Sequence, residues 1–372
     1  MNILELCLSS GLGGLELYVY NAAESLRNKH KVTVVLNETG KLTSHFKQCS
    51  ATQVLTLKSG FKPLPLINAY KLAKMIDTLN IDIIHMHWGN DLALAAFAKQ
   101  FSSCKPKLIY TRHMKITRDK SDLYHSFIYG KMDLMLTITE KLEQEAKHFI
   151  SRYKSRIKIL YHGVKKPDEL LTQEQISASR NKIGLQDNNF VIGLFGRLEK
   201  GKGQHLLIQS IALAKQHDIT LYALIVGHEM NPGYLDKMQT LARSLGLEKQ
   251  IRFHGFTATP QQLMQICDCI SLTSGEETFG LVLPEAMRAG ICVIGSNKGG
   301  VLEIIEHEKT GLLFKSGDAS SLYTQIARLY SDKSFKTELA ENGKTKADNI
   351  FNLDTHFSTL EGIFKHLIFK NL

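Results

Sequence analysis

Residues 273–303 read TSGEETFGLVLPEAMRAGICVIGSNKGGVLE, and they set two carboxylates, Glu277 and Glu285, eight positions apart around the pair Phe279-Gly280. The apolar run 269–273 that leads in has the composition of a strand, 280–288 that of a helix, and 291–294 that of a second strand. In that order Glu277 falls in the loop at the carboxyl end of a parallel strand and Glu285 within the next helix. Open parallel sheets place their ligands at this edge. Buried carboxylates need hydrogen-bond donors, and sugar hydroxyls are suitable ones.

The same strand-to-loop step recurs upstream. The run 191–195 delivers Gly196 and Arg197, then Lys200, Gly201, Lys202 and Gly203. Arg197 offers a fork of donors and Lys202 a mobile point charge, which together suit a diphosphate, and the glycines allow close backbone approach. The spacing is not the GxxxxGK[ST] of a P-loop and argues against ATP chemistry of that kind. At the next such edge, 251–253 leads to His254, Gly255 and Phe256. Helices are expected at 204–216, 234–245 and 260–267, and in the tail at 320–331, 334–347 and 355–369. The last repeats Phe357, Leu360, Phe364 and Leu367 on one face, which must be buried.

The first half alternates in the same way. Strands are expected at 3–8, 32–36, 81–86, 107–110, 134–138 and 157–160, with helices at 15–27, 70–79, 90–101 and 140–149. The turn Gly11-Leu12-Gly13-Gly14 after the first strand lacks the GxGxxG dinucleotide spacing, but it lets backbone approach an anion or a reacting centre. The region 39–65 reads as irregular, and FKPLPL at 61–66 as a loop by its prolines. His113 follows a strand, and a histidine there can serve a sugar hydroxyl. The polar stretch 115–122 and the aromatics Tyr124, Phe127 and Tyr129 beyond it are assigned to substrate contact. Repeated strand-helix alternation argues for parallel α/β sheets covered on both faces. Composition shifts over 165–189, a polar stretch, and the boundary is placed at about 165–168, so the expected domains are 1–165 and 166–352, with a final helix 353–372.

A chain of 372 residues fits two domains. Its net charge of +10 is uneven: residues 1–165 hold 24 Lys and Arg against 13 Asp and Glu, a net +11, and the rest is close to neutral. That asymmetry suits an anionic membrane surface or a phosphorylated acceptor as well as simple solvation. Nucleic acid is not expected, because no recognition module or basic-aromatic array accompanies the charge. No run approaches the ~18 apolar residues of a membrane span. The six cysteines lack metal-ligand spacing, apart from Cys267 and Cys269, which read as buried thiols; a cytoplasmic protein follows. His85 and His87 share one face of a strand, but no third ligand at a recognisable spacing joins them, and no metal is expected.

The segments GGLE at 13–16, DIIHMH at 82–87, GRLEKGKG at 196–203, EETFGLVLPEAMRAG at 276–290, GGVLEII at 299–305 and TGLLF at 310–314 together resemble the retaining family 4 glycosyltransferases of the GT-B fold. The resemblance implies two Rossmann-like domains facing a cleft, with a nucleotide-sugar donor held mainly by the second and the final helix packing back onto the first. It implies that Arg197 and Lys202 bind the donor diphosphate, that Glu285 bonds the ribose, and that Glu277 contacts the donor sugar with backbone groups near Phe279, Gly280 and Leu281. Phe256 would border the base. Gly13 and Gly14 would approach the phosphate and acceptor side with Glu16, His113 would meet the donor sugar near the reacting carbon, and Lys115 and Arg118 would lie on the acceptor side.

No cofactor beyond the nucleotide-diphosphate-sugar co-substrate is implied. The expected acceptor is a saccharide or lipid-linked saccharide in lipopolysaccharide, O-antigen or capsule assembly. The expected location is the cytoplasm, at the inner face of its membrane. Two other readings stay open at this point: a nucleotide-sugar epimerase or sugar phosphorylase of the same form, and a non-catalytic saccharide-binding assembly protein.

Overall fold

The computed structural model describes residues 1–58 and 63–369. The chain forms two compact units, Met1–Gly163 with Asp354–Leu372, and Val164–Leu353. The step between them lies two residues ahead of the expected one.

In the first unit, β1 (Asn2–Cys7), β2 (Lys31–Asn37), β3 (Gln53–Leu57), β4 (Ile83–Met86), β5 (Lys107–Arg112), β6 (Leu134–Thr137) and β7 (Ile157–Ile159) form one parallel sheet, ordered β3-β2-β1-β4-β5-β6-β7. Its connecting helices are α1 (Gly14–Leu26), α2 (Lys41–Cys49), α3 (Leu66–Thr78), α4 (Leu92–Phe101), α5 (Leu123–Gly130) and α6 (Glu140–Phe149). The central strands are buried almost end to end, as a sheet covered on both faces requires. Chain order reverses between β1 and β4, which pair in register from Ile3 with Ile83 to Leu6 with Met86. At such a reversal the two following loops part and leave a crevice at the carboxyl edge.

The second unit repeats the plan. Its strands β8 (Phe190–Phe195), β9 (Leu221–Val226), β10 (Ile251–His254), β11 (Cys269–Leu272), β12 (Cys292–Ser296) and β13 (Leu312–Phe314) run parallel in the order β10-β9-β8-β11-β12-β13. The reversal is at β8 and β11. Around them lie α7 (Gln173–Lys182), α8 (Gln204–Gln216), α9 (Tyr234–Ser244), α10 (Pro260–Met264), α11 (Val282–Arg288), α12 (Val301–Ile304), α13 (Ala319–Ser331) and α14 (Lys333–Ile350). The last helix, α15 (Leu353–Phe369), belongs almost wholly to the first unit. There it buries Phe357, Leu360 and Phe364, and the Phe364 ring lies 5.2 Å from that of His85.

Two stretches depart from expectation. Within the region 39–65, expected to be less regular, the described residues hold α2 and the edge strand β3, and α3 begins at Leu66, four residues before the expected helix. An edge strand is half-exposed, so β3 shows no apolar run to detect. Phe61 and Lys62 of the proline-rich loop lie outside the described residues. Helix α7 was read only as a polar boundary segment, yet its Thr172 and Gln175 cap it reciprocally.

Candidate active site

The second unit's reversal brings the loops after β8 and β11 together. Thr273 Oγ1 donates to the carbonyl of Lys202 (2.7 Å), and Gly203 lies against the Thr273 carbonyl at φ +72°; a Cβ there would sit 2.3 Å from that oxygen. Only glycine fits this turn. Across the joint, Lys202 Nζ meets Glu277 Oε1 at 2.5 Å, and Ser274 Oγ donates to the same oxygen at 2.7 Å. The backbone of Glu277 is fixed from behind. Gly300 N–H donates to its carbonyl (2.9 Å), and Gly299, at φ +67°, approaches so closely that a Cβ would lie 2.2 Å from that oxygen.

Arg197 stands on the same edge, half-exposed, with its guanidinium 3.0 Å from Glu199. Its carbonyl accepts from Gln204 Nε2 (2.9 Å), a buried glutamine that the sequence reading passed over. Each expected phosphate ligand thus carries a carboxylate partner in the ligand-free chain. Glu285 lies on α11, and among the described residues no hydrogen bond or ion pair reaches its carboxylate; burial pushes its pKa up to about 7. The Phe279 ring is core, packed edge-on against Phe351 at 5.7 Å, so only its backbone faces outward. Gly280 takes φ +98°, and Leu281 caps α11. Phe256 is 71% exposed beyond β10, 6.0 Å from the ring of His228.

In the first unit the glycine turn is tied down by Glu16. Its Oε1 accepts from Ser9 Oγ and its Oε2 from Gly13 N–H (2.8 Å). With each oxygen holding one donor inside the turn, Glu16 shapes the start of α1.

Below this turn lies a buried histidine cluster. Glu5, the one acid inside β1, reaches both His85 and His87: His85 Nδ1 lies 3.0 Å and His87 Nε2 2.6 Å from Oε2. No third group joins the two histidines by spacing in the sequence; β1 and β4 are neighbours in space, and the third group comes from β1. These hydrogen bonds satisfy the three buried side chains. Burial alone pushes the Glu5 carboxyl up, but His85 and His87 outweigh it and hold it down to about 2. His87 Nδ1 faces His113 Nε2 at 3.4 Å, and His113 Nδ1 faces His162 Nε2 at 3.2 Å. Burial first, and neighbouring imidazoles second, keep both His113 and His162 well below the usual histidine range. Both ring nitrogens of His113 are therefore already engaged, and a sugar hydroxyl has to replace one of these partners.

Tyr18 of α1 packs its ring against both His113 (5.0 Å) and His162 (4.7 Å). Its hydroxyl meets His356 Nε2 at 2.9 Å, while His356 Nδ1 donates to the Tyr161 carbonyl at 2.6 Å. The final helix thus locks the tyrosine that supports His113.

Beside the cluster, a cavity of about 620 Å³ opens at the ends of β4 and β5. Arg112, Lys115, Arg118 and Lys120 line it, with the rings of Trp88 and Tyr124, and no carboxylate does so among the described residues. Arg112 braces the lining loop by donating to the carbonyls of Met114 (2.6 Å) and Lys115 (2.8 Å). Tyr129, expected at the substrate, is a largely buried member of the cavity wall, and Tyr124 Oη bonds the Pro63 carbonyl at 2.5 Å.

Residues 12–166 match the family described as Glycosyltransferase Family 4, and residues 175–346 match Glycosyl transferases group 1. HepE of Anabaena, solved in complex with UDP and glucose, is 26% identical with a TM-score of 0.84, over 98% of this chain and 99% of that one. N-acetyl-alpha-D-glucosaminyl L-malate synthase of Bacillus anthracis is 25% identical over 82% of this chain and 80% of its own length. N-acetylgalactosamine-N,N'-diacetylbacillosaminyl-diphospho-undecaprenol 4-alpha-N-acetylgalactosaminyltransferase of Campylobacter jejuni is 27% identical over 91% and 93%. Two doubly wound units with these likenesses define an enzyme of the GT-B class that transfers sugars. The chain belongs to glycosyltransferase family 4.

Proposed function

We infer that the chain moves a hexose from a nucleoside-diphosphate sugar to a saccharide or lipid-linked saccharide acceptor, with retention of configuration, in surface-polysaccharide assembly of the lipopolysaccharide, O-antigen or capsule kind. The observation that carries this reading is the Lys202–Glu277 joint beside Arg197, at the edge where β8 and β11 part. An arriving diphosphate meets two cations there, and Glu277, relieved of Lys202, is available to a sugar hydroxyl. The presence of UDP and glucose in the HepE complex supports such a donor. The bond from the anomeric carbon to the diphosphate breaks as the new bond to the acceptor oxygen forms on the same face. The acceptor proton passes to the departing phosphate oxygen. Positive charge at the leaving group then matters more than a protein nucleophile. Arg197 and Lys202 take the part that a metal plays elsewhere, so a chelator is expected to leave turnover unchanged.

The ribose falls to Glu285, the donor sugar to His113 and the backbone near Gly14 and Gly280, and the base to the neighbourhood of Phe256. The basic cavity supports an acceptor presenting an anionic group, taken up near Gly13, Lys115 and Arg118. Ile67, 76% exposed, and Leu123, 90% exposed, lie close in sequence to Pro63 and Tyr124, which line the cavity. With the surplus of positive charge in residues 1–165, they support peripheral attachment to an anionic cytoplasmic membrane face. Among the described residues no helix is long and apolar enough to cross a membrane. A panel of UDP-, GDP- and ADP-sugars, read by donor binding and slow hydrolysis, tests the transfer reading; binding to none of them would sink it. Flotation with anionic vesicles across a salt series tests the membrane arm, attachment being expected to weaken as salt rises.

A further inference from the structure

We propose that Glu5 is a positioning residue for the transfer, fixing through His87 which ring nitrogen of His113 carries its proton. The part this plays in transfer rests on the reading of His113 as a donor-sugar contact. Glu5 is the only charged side chain within β1 and has no exposure to solvent. It touches neither the glycine turn nor the basic cavity, so neither feature accounts for an ionised carboxylate in this core.

The order of protons along the run follows from its carboxylate end. His87 Nε2 stands 2.6 Å from Glu5 Oε2, closer than two lone pairs tolerate, so this nitrogen carries a proton. Burial, helped by His85, pushes His87 down to about 4 against the pull of Glu5, so near neutral pH the ring holds one proton only. Its Nδ1 is then bare and accepts, and the facing Nε2 of His113 donates across 3.4 Å. That leaves His113 Nδ1 bare, to accept from His162 Nε2 across 3.2 Å. Three neutral imidazoles share one sense, each with its proton on Nε2. His85 closes the other side by donating Nδ1–H to Glu5 and facing the Thr111 hydroxyl at 2.7 Å. Tyr18 and Phe364 hold the rings in place by edge contacts. A substrate hydroxyl arriving at His113 meets a ring whose roles are assigned beforehand: at Nε2 it must accept, at Nδ1 it must donate.

The experiment is long-range proton–nitrogen correlation of the full chain labelled on histidine. In the unaltered protein His87, His113 and His162 are expected as the Nε2-protonated tautomer at neutral pH; His113 protonated on Nδ1, or on both nitrogens, overturns the proposal without any variant. The His85→Leu variant keeps the carboxylate and is expected to keep this order. Adding Glu5→Leu replaces the buried pair by apolar side chains, a change such sites often tolerate, and is expected to mix the tautomers of His113. Identical spectra for the two variants overturn the control by Glu5. His162→Phe leaves the carboxylate end intact, so a reversal of His113 in that variant assigns control to the wrong end and has the same effect. In kinetics the double variant is expected to fall on the order of tenfold in kcat below His85→Leu, with donor KM within about twofold; equal kcat, or a loss that only tracks the folded fraction, removes the positioning role. Failure of every nucleotide sugar in the donor panel would defeat the transfer reading alone, since the tautomers are read without substrate.

Discussion

Lys202 and Glu277, 75 residues apart in the chain, form an ion pair of 2.5 Å that couples the loops after β8 and β11. Both side chains are mostly shielded, at 24% and 17% exposure, and Ser274 supports the carboxylate. Paired in this way, neither group stands as an unmatched charge.

Replacing Lys202 by Ala leaves Glu277 as an uncompensated anion beside the path of the diphosphate. Turnover at limiting donor is expected to fall by about two to three orders of magnitude, in the range seen when one transition-state donor is removed. Lys202→Ala combined with Glu277→Ala is expected to lose less than the sum of the single losses, because the two share one interaction. Additive losses in steady-state kinetics would mean that the pair is not a functional unit. Arg197 supplies the contrast. Its exposed pair with Glu199 contributes little to stability, so Arg197→Ala should lower kcat/KM by a similar order with little change in the urea midpoint.

Glu285 reports on binding through protons. Burial raises its pKa from the ordinary 4.5 to about 7, so near neutrality part of the free enzyme carries a neutral carboxyl there. Ribose hydroxyls donating to it favour the carboxylate, lower its pKa and release a proton. Titration calorimetry with UDP at pH 8, where the terminal phosphate is already ionised, and at pH 6.5, in buffers of different ionisation enthalpy, should show net proton release at the lower pH, and Glu285→Gln should reduce that release to the part the phosphate supplies. Without ligand the sign for stability is the opposite of an ordinary carboxylate: the folded state holds the proton more tightly, so its contribution is present below about pH 4.5 and is lost as pH rises through 7.

The histidine cluster makes the first unit sensitive to acid. His87 and His356 sit at about 4, chiefly because of burial, against 6.5 in an unfolded chain. Above pH 6.5 neither state binds the proton and stability is unaffected. Between 6.5 and 4 the unfolded chain takes up protons that the folded rings refuse, and stability falls by about 1.4 kcal/mol per pH unit for each proton. Glu5, at about 2, adds its own loss below 4.5. Urea midpoints of the first unit's transition should drop steeply from pH 6.5 to 4.5; a flat profile would show that these rings are protonated in the folded state.

At the acceptor end, Lys115→Glu and Arg118→Glu reverse charge in the basic cavity without touching the second unit. Acceptor KM is expected to rise about tenfold or more for each, while donor hydrolysis without acceptor stays at the level of the unaltered enzyme. Equal loss of donor hydrolysis would place these side chains at the donor instead.

Much of the architecture was legible because parallel strands buried on both faces are continuous apolar runs, as in FVIGLF at β8 and IIHM at β4. Motif spacing then located the strand ends at which Lys202 and Glu277 meet. What escaped detection did so for physical reasons. Edge strand β3 alternates weakly, α7 is a polar helix whose signal lies in its Thr172–Gln175 cap, and α2 is a nine-residue helix without a side-chain cap that buries only Leu42, Thr43 and Phe46. Pairing was harder still. Nothing local to Glu5 points to His85 and His87, although a lone acid within an apolar strand is itself a sign of a buried partner. Likewise Lys202 and Glu277 were each legible as ligand groups but not as partners of one another, because their meeting depends on two loops converging at a strand reversal. His162 read only as a strand end.

The excursion of α15 back to the first unit makes Val164–Leu353 an insertion in sequence terms. A ribosome therefore releases the whole of Val164–Leu353 before His356 exists to grip Tyr18. The first 163 residues must wait, with their ring cluster open on one side, until the final twenty or so emerge. Vectorial synthesis thus completes the later unit first, and a nascent chain stopped short of the last helix carries a finished half beside an unfinished one.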